Sequence, residues 1–415
     1  MYIYLSSFLL FIELIFLSQI YKRTGFTHPI FILFTITFFY INSPIVDYFL
    51  FSIDHVIINS MDYILIFNNK TYFYVCLLYF TFTISLFIYF NINKNFFSDY
   101  HYFIFNNVNN NQNFKLNFRS NLFFIFSILS LLFFLSIIYD LERDIIKNIF
   151  SSRLYHIFLI SGYSFLCFLI ILLQIKNLFI FSFLILFSLV IKEREFLVII
   201  FYIFLINYNF DKKVILISLI SAISFLFIIN FKVLFFYLYS FSNNLDVSFD
   251  LLFKQANTIN IQRFTSSDPA APLALLIIFL EDSSQTFNQY YLSYIINTWH
   301  QLMSFLGLYD WNSISTFTYD FYTNRTMGIG TPFLLEAILN FWYFGPFIIG
   351  FIISHLIKLV IKHSIKYNIF YQRIIYLFLF ILIIKFVRTE LAIILKLYFV
   401  PLFLSLFFYR KIFIK

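Results

Sequence analysis

Glu336 and Arg194 are the side chains best placed to act on a charged substrate in a chain that is otherwise strongly apolar. Glu336 lies within Arg325 to His355, RTMGIGTPFLLEAILNFWYFGPFIIGFIISH, where a polar loop turns into a membrane helix. Thr331 can cap that helix, and Pro332 suits its first position, where the missing N–H costs little. At helical spacing Glu336, Asn340 and Tyr343 share one face, giving a polar stripe in which the carboxylate can take a proton or orient a hydroxyl. Pro346, following Gly345, removes a backbone hydrogen bond and predicts a bend.

Arg194 stands in Lys192-Glu193-Arg194-Glu195, between the short apolar segments 177 to 191 and 196 to 210. Fifteen residues of helix reach roughly 22 Å, against about 30 Å of hydrocarbon, so these charges are expected below the surface in a polar cavity. The last hairpin is expected to repeat the pattern, with Ile374 to Val387 short and Lys385, Arg388, Glu390 and Lys396 around its turn. Lys232, Arg263 and Arg325 add cations on the same side. An arginine suits phosphate because its fork donates two parallel hydrogen bonds and keeps its charge when buried. His300, in an amphipathic part of the long loop, could bind a diphosphate or act as a base.

The elements that position these groups follow from composition. Of 415 residues 61% are hydrophobic and only 12% charged, and the mean hydropathy of +0.87 marks a polytopic membrane protein rather than a soluble domain. Eleven apolar segments are expected to be helical: 2 to 20, 30 to 50, 72 to 90, 122 to 139, 154 to 173, 177 to 191, 196 to 210, 214 to 239, 332 to 355, 374 to 387 and 391 to 409. The expectation is an all-α membrane protein forming a single integral domain over 1–415.

Charge sorts the loops. The odd loops and the C-terminal tail carry Lys22, Arg23, Lys94, Lys115, Arg119, Lys176, Lys212, Lys213, Lys358, Lys362, Lys366, Arg373, Arg410, Lys411 and Lys415, and so face the cytoplasm. The even loops hold most acids and face outward, among them the long loop 240–331. Within it, Ser267-Asp268-Pro269 opens a helix too short to span, interfacial or re-entrant, and Tyr290 to Leu308 is a second surface piece. The net charge of +8 has no basic domain behind it, which argues against nucleic acid. Cys76 and Cys167 lie in apolar spans without ligand spacing. No Gly-rich phosphate loop, HExxH, Gly-x-Ser-x-Gly or outward DxD-type acidic pair is present, so neither a metal nor a cofactor is expected.

From Phe179 to Phe351 the chain resembles bacterial oligosaccharide repeat-unit polymerases of the O-antigen polymerase (Wzy-type) family. Phe187 to Tyr208 is similar to the family's short span, Arg-bearing turn and short span before a Lys pair, here Lys212-Lys213. Gln289 to Met303 resembles its Tyr-x-x-Ser segment, and Thr331 to Gly350 its Glu-Ala-x-x-Asn-Phe-x-x-x-Gly signature. Two departures stand out: Glu195 follows Arg194 where the family turn reads Ser-Arg-Gly, and Trp342 and Tyr343 replace a glycine expected soon after Asn340-Phe341.

The resemblance implies a GT-C-like polymerase architecture in the bacterial inner membrane, with the site facing the periplasm. It implies a glycosyltransferase that joins undecaprenyl-diphosphate-linked oligosaccharides into O-antigen, capsule or related polysaccharide. Glu336 and Arg194 would be catalytic, with Arg263, Arg325, Arg388, His300 and Asn340 binding substrate. Membrane lipids are implied partners, and a chain-length regulator and a flippase are further candidates. A lipid-linked oligosaccharide flippase and an O-antigen ligase remain as alternative readings.

Overall fold

The computed structural model describes residues 2–51, 55–58, 63–66, 69–98, 333–366 and 369–388, with the single positions 202, 273, 276, 277, 279, 280, 299 and 303. These residues are almost entirely helical, and Tyr2–Thr24, Lys70–Ile92 and Phe333–Ser364 are long and apolar enough to cross a membrane. This is therefore a helical membrane protein. The expected spans 122 to 139, 154 to 173, 177 to 191, 214 to 239 and 391 to 409 lie outside the described residues, as does 196 to 210 apart from the helical Tyr202.

Helix α1 (Tyr2–Thr24) ends at Lys22 and Arg23. Gly25 follows at φ 72, a left-handed position that costs glycine little, and its N–H bonds the Tyr21 carbonyl at 2.8 Å. Helix α2 (Pro29–Phe51) starts with proline at its first position. The residue before it, His28, caps the helix by accepting the Ile30 N–H on Nδ1 at 3.1 Å, a role usually held by Ser, Thr, Asp or Asn.

After α2 come two short strands, β1 (His55–Ile58) and β2 (Tyr63–Ile66), paired antiparallel from His55↔Ile66 to Ile58↔Tyr63. This corrects the all-α expectation: two runs rich in Val and Ile flank a polar connection, the composition of a hairpin rather than a plain loop.

Helix α3 (Asn69–Ile92) is the centre of the bundle. It packs on α1 through Phe16, whose ring stacks on Phe87 at 4.1 Å and lies parallel to Phe80 at 6.3 Å. It ties to α2 where the Tyr72 hydroxyl donates to the Ile41 carbonyl at 2.8 Å and Tyr79 meets Thr37 at 3.0 Å. Its other side faces α5 (Gly345–Ser364), which runs in the same direction toward a basic end carrying Lys358, Lys362 and Lys366. There the Tyr89 hydroxyl meets His355 Nδ1 at 2.9 Å, and Lys358 donates to Asn93 Oδ1 at 2.6 Å.

Helix α6 (Ile369–Arg388) packs along α2. Its apolar part, Ile375–Val387, is short, as expected for the last hairpin. The helix itself begins five residues before the expected start, at Ile369, through residues that include the buried Gln372. Of the segment after Pro269, Leu273, Leu276, Ile277 and Phe279 are helical and buried, so they pack within the bundle rather than on its surface.

Helices α3 and α5 approach closely at Gly350. A Cβ placed on Gly350 would overlap Ser85 Oγ and come within 2.9 Å of the Phe82 carbonyl oxygen. The backbone oxygen cannot swing aside as a side chain could, and small residues are what let membrane helices meet this closely. Gly350→Ala is expected to lower stability by about 1–3 kcal/mol, as core overpacking does. Ser85→Ala should not restore it, because the backbone contact remains, and denaturant unfolding of the two single variants and the double variant in detergent micelles checks this.

Candidate functional site

Glu336 sits on helix α4 (Phe333–Phe341), which precedes α5. Seven consecutive residues, Phe333 to Leu339, are buried, so α4 is enclosed on all sides instead of presenting one face to lipid. Glu336 itself is only 2% exposed. A carboxyl inside an apolar protein interior is costly and marks a functional candidate.

The sequence suggested one helix over 332 to 355 bent at Pro346; the structure shows a reversal. A 3₁₀ turn, Trp342–Phe344, separates α4 from α5, and Trp342 is left-handed at φ 57. A Cβ on Gly345 would overlap the carbonyl oxygen of Ala337, eight residues earlier. In a straight helix that separation is about 12 Å, so the chain must fold back. The Phe82 ring confirms it, touching Phe333 at 4.7 Å between centroids and lying 3.1 Å from the Gly350 Cβ position. Pro346 lies in the first turn of α5, where it breaks no hydrogen bond.

The hairpin places Glu336 in depth. The 20 residues of α5 cover about 30 Å from the turn to the basic end, so the turn lies at the opposite membrane face. Trp342, Tyr343 and Phe344 are exposed there, and Trp and Tyr favour the headgroup level. Nine-residue α4 then returns about 13 Å into the membrane, with Glu336 about 8 Å below the turn. The described part of α4 is a short buried helix folded back along α5, with the carboxyl on the side away from the basic ends.

This geometry shortens the expected polar stripe. Asn340 Nδ2 donates to the Glu336 backbone carbonyl at 2.7 Å, holding its amide against α4. Tyr343 is carried off that face by the left-handed Trp342 before it, and is 62% exposed. Arg388 is the last residue of α6, on the same side as the turn. Phe386, two residues before it, lies 5.3 Å from the Phe333 ring, so the end of α6 reaches α4. Arg194, Arg263, His300 and Arg325 lie outside the described residues, together with Thr331 and Pro332. Trp299, beside His300, is helical and exposed.

A second intramembrane carboxyl went unnoticed in the sequence. Glu13, at the middle of α1, is 1% exposed, and its Oε2 accepts from Asn42 Nδ2 of α2 at 3.0 Å. One acid in the centre of an apolar first helix was the signal available. Comparison with protein-family models, curated proteins and solved structures finds no match to this chain.

The turn carries its own test. A bulky residue at φ 57 is strained by about 1–2 kcal/mol, while glycine accepts that conformation freely. Because the Trp342 side chain is 69% exposed, Trp342→Gly gives up little packing and is expected to preserve or raise thermal stability in lipid nanodiscs. Trp342→Val, β-branched, should lower the melting temperature; the opposite order would contradict the left-handed turn.

Proposed function

We propose that this chain is a polysaccharide polymerase of the inner membrane, joining undecaprenyl-diphosphate-linked oligosaccharide repeat units at the outer face. The observation that carries the reading is Glu336, buried on a helix folded back along α5 on the side opposite the basic helix ends. An acid there can meet a sugar hydroxyl arriving from the outer side while staying out of bulk water. The Wzy-type resemblance adds weight at Trp342: the family's glycine is expected soon after Asn340-Phe341, where this backbone turns left-handed.

In the proposed reaction a hydroxyl of one repeat unit attacks the anomeric carbon of the growing chain. A new C–O bond forms as the bond to the diphosphate oxygen breaks, and the electron pair leaves with undecaprenyl diphosphate. Glu336 takes the hydroxyl proton or orients that hydroxyl. Arg194, Arg263 and Arg325, with Arg388, neutralise the leaving diphosphate, so it needs no proton. His300 and Asn340 help seat the sugars.

A flippase for the same lipid-linked units is the second reading, favoured by Glu13 at mid-membrane and by the folded-back helix, both features that transporters use. Deleting the gene separates the two. A polymerase deletion leaves surface lipid carrying a single repeat unit and no ladder on a gel, whereas loss of all glycan indicates a flippase or ligase. Restoring the deletion with Glu336→Gln or Arg194→Ala is expected to give no ladder at normal protein levels; full ladders from both would remove the assignment.

A further inference from the structure

Glu13 belongs to a polar cluster that the proposed glycosyl transfer does not use. It is eleven residues from either end of α1, about 17 Å of helix each way, which places it at mid-depth. Asn42 of α2 and Thr83 of α3 stand at comparable depth in their own helices. Asn42 Nδ2 donates to Glu13 Oε2 at 3.0 Å, and Thr83 faces the same carboxyl.

The hydrogens of this cluster can be counted. The Thr83 hydroxyl lies 3.0 Å from the Phe80 carbonyl, to which it can donate, and it also faces Glu13. With its hydrogen on Phe80 it can accept from the carboxyl. A carboxylic acid can then satisfy both neighbours, accepting from Asn42 on one oxygen and donating to Thr83 from the other.

Among the described residues the surroundings supply no counter-charge. The titratable groups acting together with Glu13 are Tyr72, Cys76 and Tyr79, all from α3, and among the described residues no cation faces it. Tyr72 and Tyr79 direct their hydroxyls to Ile41 and to Thr37 and Phe34 of α2. The Phe16 ring packs against Phe80 and Phe87 along the α1–α3 seam. An ion in hydrocarbon without partner or water is far costlier than a neutral acid.

We propose that Glu13, Asn42 and Thr83 form a proton-binding site at the centre of the membrane, with Glu13 as the carboxylic acid that carries the proton. The ligand is the proton itself, and the site is independent of the polymerase reading. It joins α1 to α2 and α3, so the proton can leave only if α1 shifts or water enters the seam. Proton occupancy and the seating of α1 are thereby coupled.

Infrared spectra of the full chain in lipid vesicles at neutral pH test this. The carboxylic-acid C=O band is expected to lose intensity in Glu13→Gln, and in Asn42→Leu to move to higher frequency as the carbonyl oxygen loses its donor. Glu336→Gln, recorded alongside, separates the contribution of the other buried carboxyl. Loss of carboxylate rather than acid absorption in Glu13→Gln, or an unchanged acid band, overturns the proposal. If Glu13→Gln does not fold, Asn42→Leu decides alone: a shifted acid band supports the site and an unchanged spectrum rejects it.

Discussion

The cost of leaving a polar group unsatisfied in hydrocarbon governs how these helices meet. Lipid tails are as apolar as leucine, so apolar faces alone give little preference for one neighbour over another. What distinguishes the contacts is a polar tie at each. Asn42 to Glu13 joins α1 and α2, Tyr72 and Tyr79 join α3 to α2, and Tyr89 with Asn93 joins α3 to α5. Each is worth about 0.6–2 kcal/mol in a membrane, so the set fixes register more than it supplies stability. Close packing does the rest, through stacked rings against α1 and a glycine against α5.

The α4–α5 hairpin shows how small backbone permissions create a site. Gly345 lets the returning chain touch the Ala337 carbonyl, and Gly350 lets α5 lie against Phe82 and Ser85. Just before them Trp342 bears a left-handed backbone that its side chain does not favour. That strain is offset by enclosing seven residues of α4 and by aromatic rings at the membrane surface. A straight 32-residue helix would be longer than the hydrocarbon requires, and folding it back turns the excess length into a short buried helix bearing Glu336.

Several of these elements were legible in the sequence because their cause is local. Long apolar runs ending in Lys22, Arg23 and Lys94 specify α1, α2 and α3 to within a few residues. The bend before α5 was also visible, since Gly345 and Pro346 mark it, but its size was not. A proline predicts a kink; a reversal depends on the φ of Trp342 and on a carbonyl eight residues away, which no pattern of types displays. The extent of α6 was underread because Tyr371, Gln372 and Arg373 lower the hydropathy of a turn that is helical nonetheless. Glu336 is marked by the polar loop before its helix, whereas Glu13 stands alone in an apolar run, though an acid at the middle of a span is the costlier placement.

The two carboxyls occupy different sides of α3. Its consecutive residues point about 100° apart around the helix, so Phe82 turns to α4 and α5 while Thr83 turns to α1. Glu336 therefore lies on the α4–α5 side of α3, about 8 Å from the turn. Glu13 lies among α1, α2 and α3, beside Phe16, Tyr72 and Tyr79, at the middle of its helix. Both carboxyls are buried, so depth is what differs: one stands near a membrane face and the other at mid-membrane. The same residue type thus has different chemistry open to it on two faces of one helix, because depth decides what can approach it.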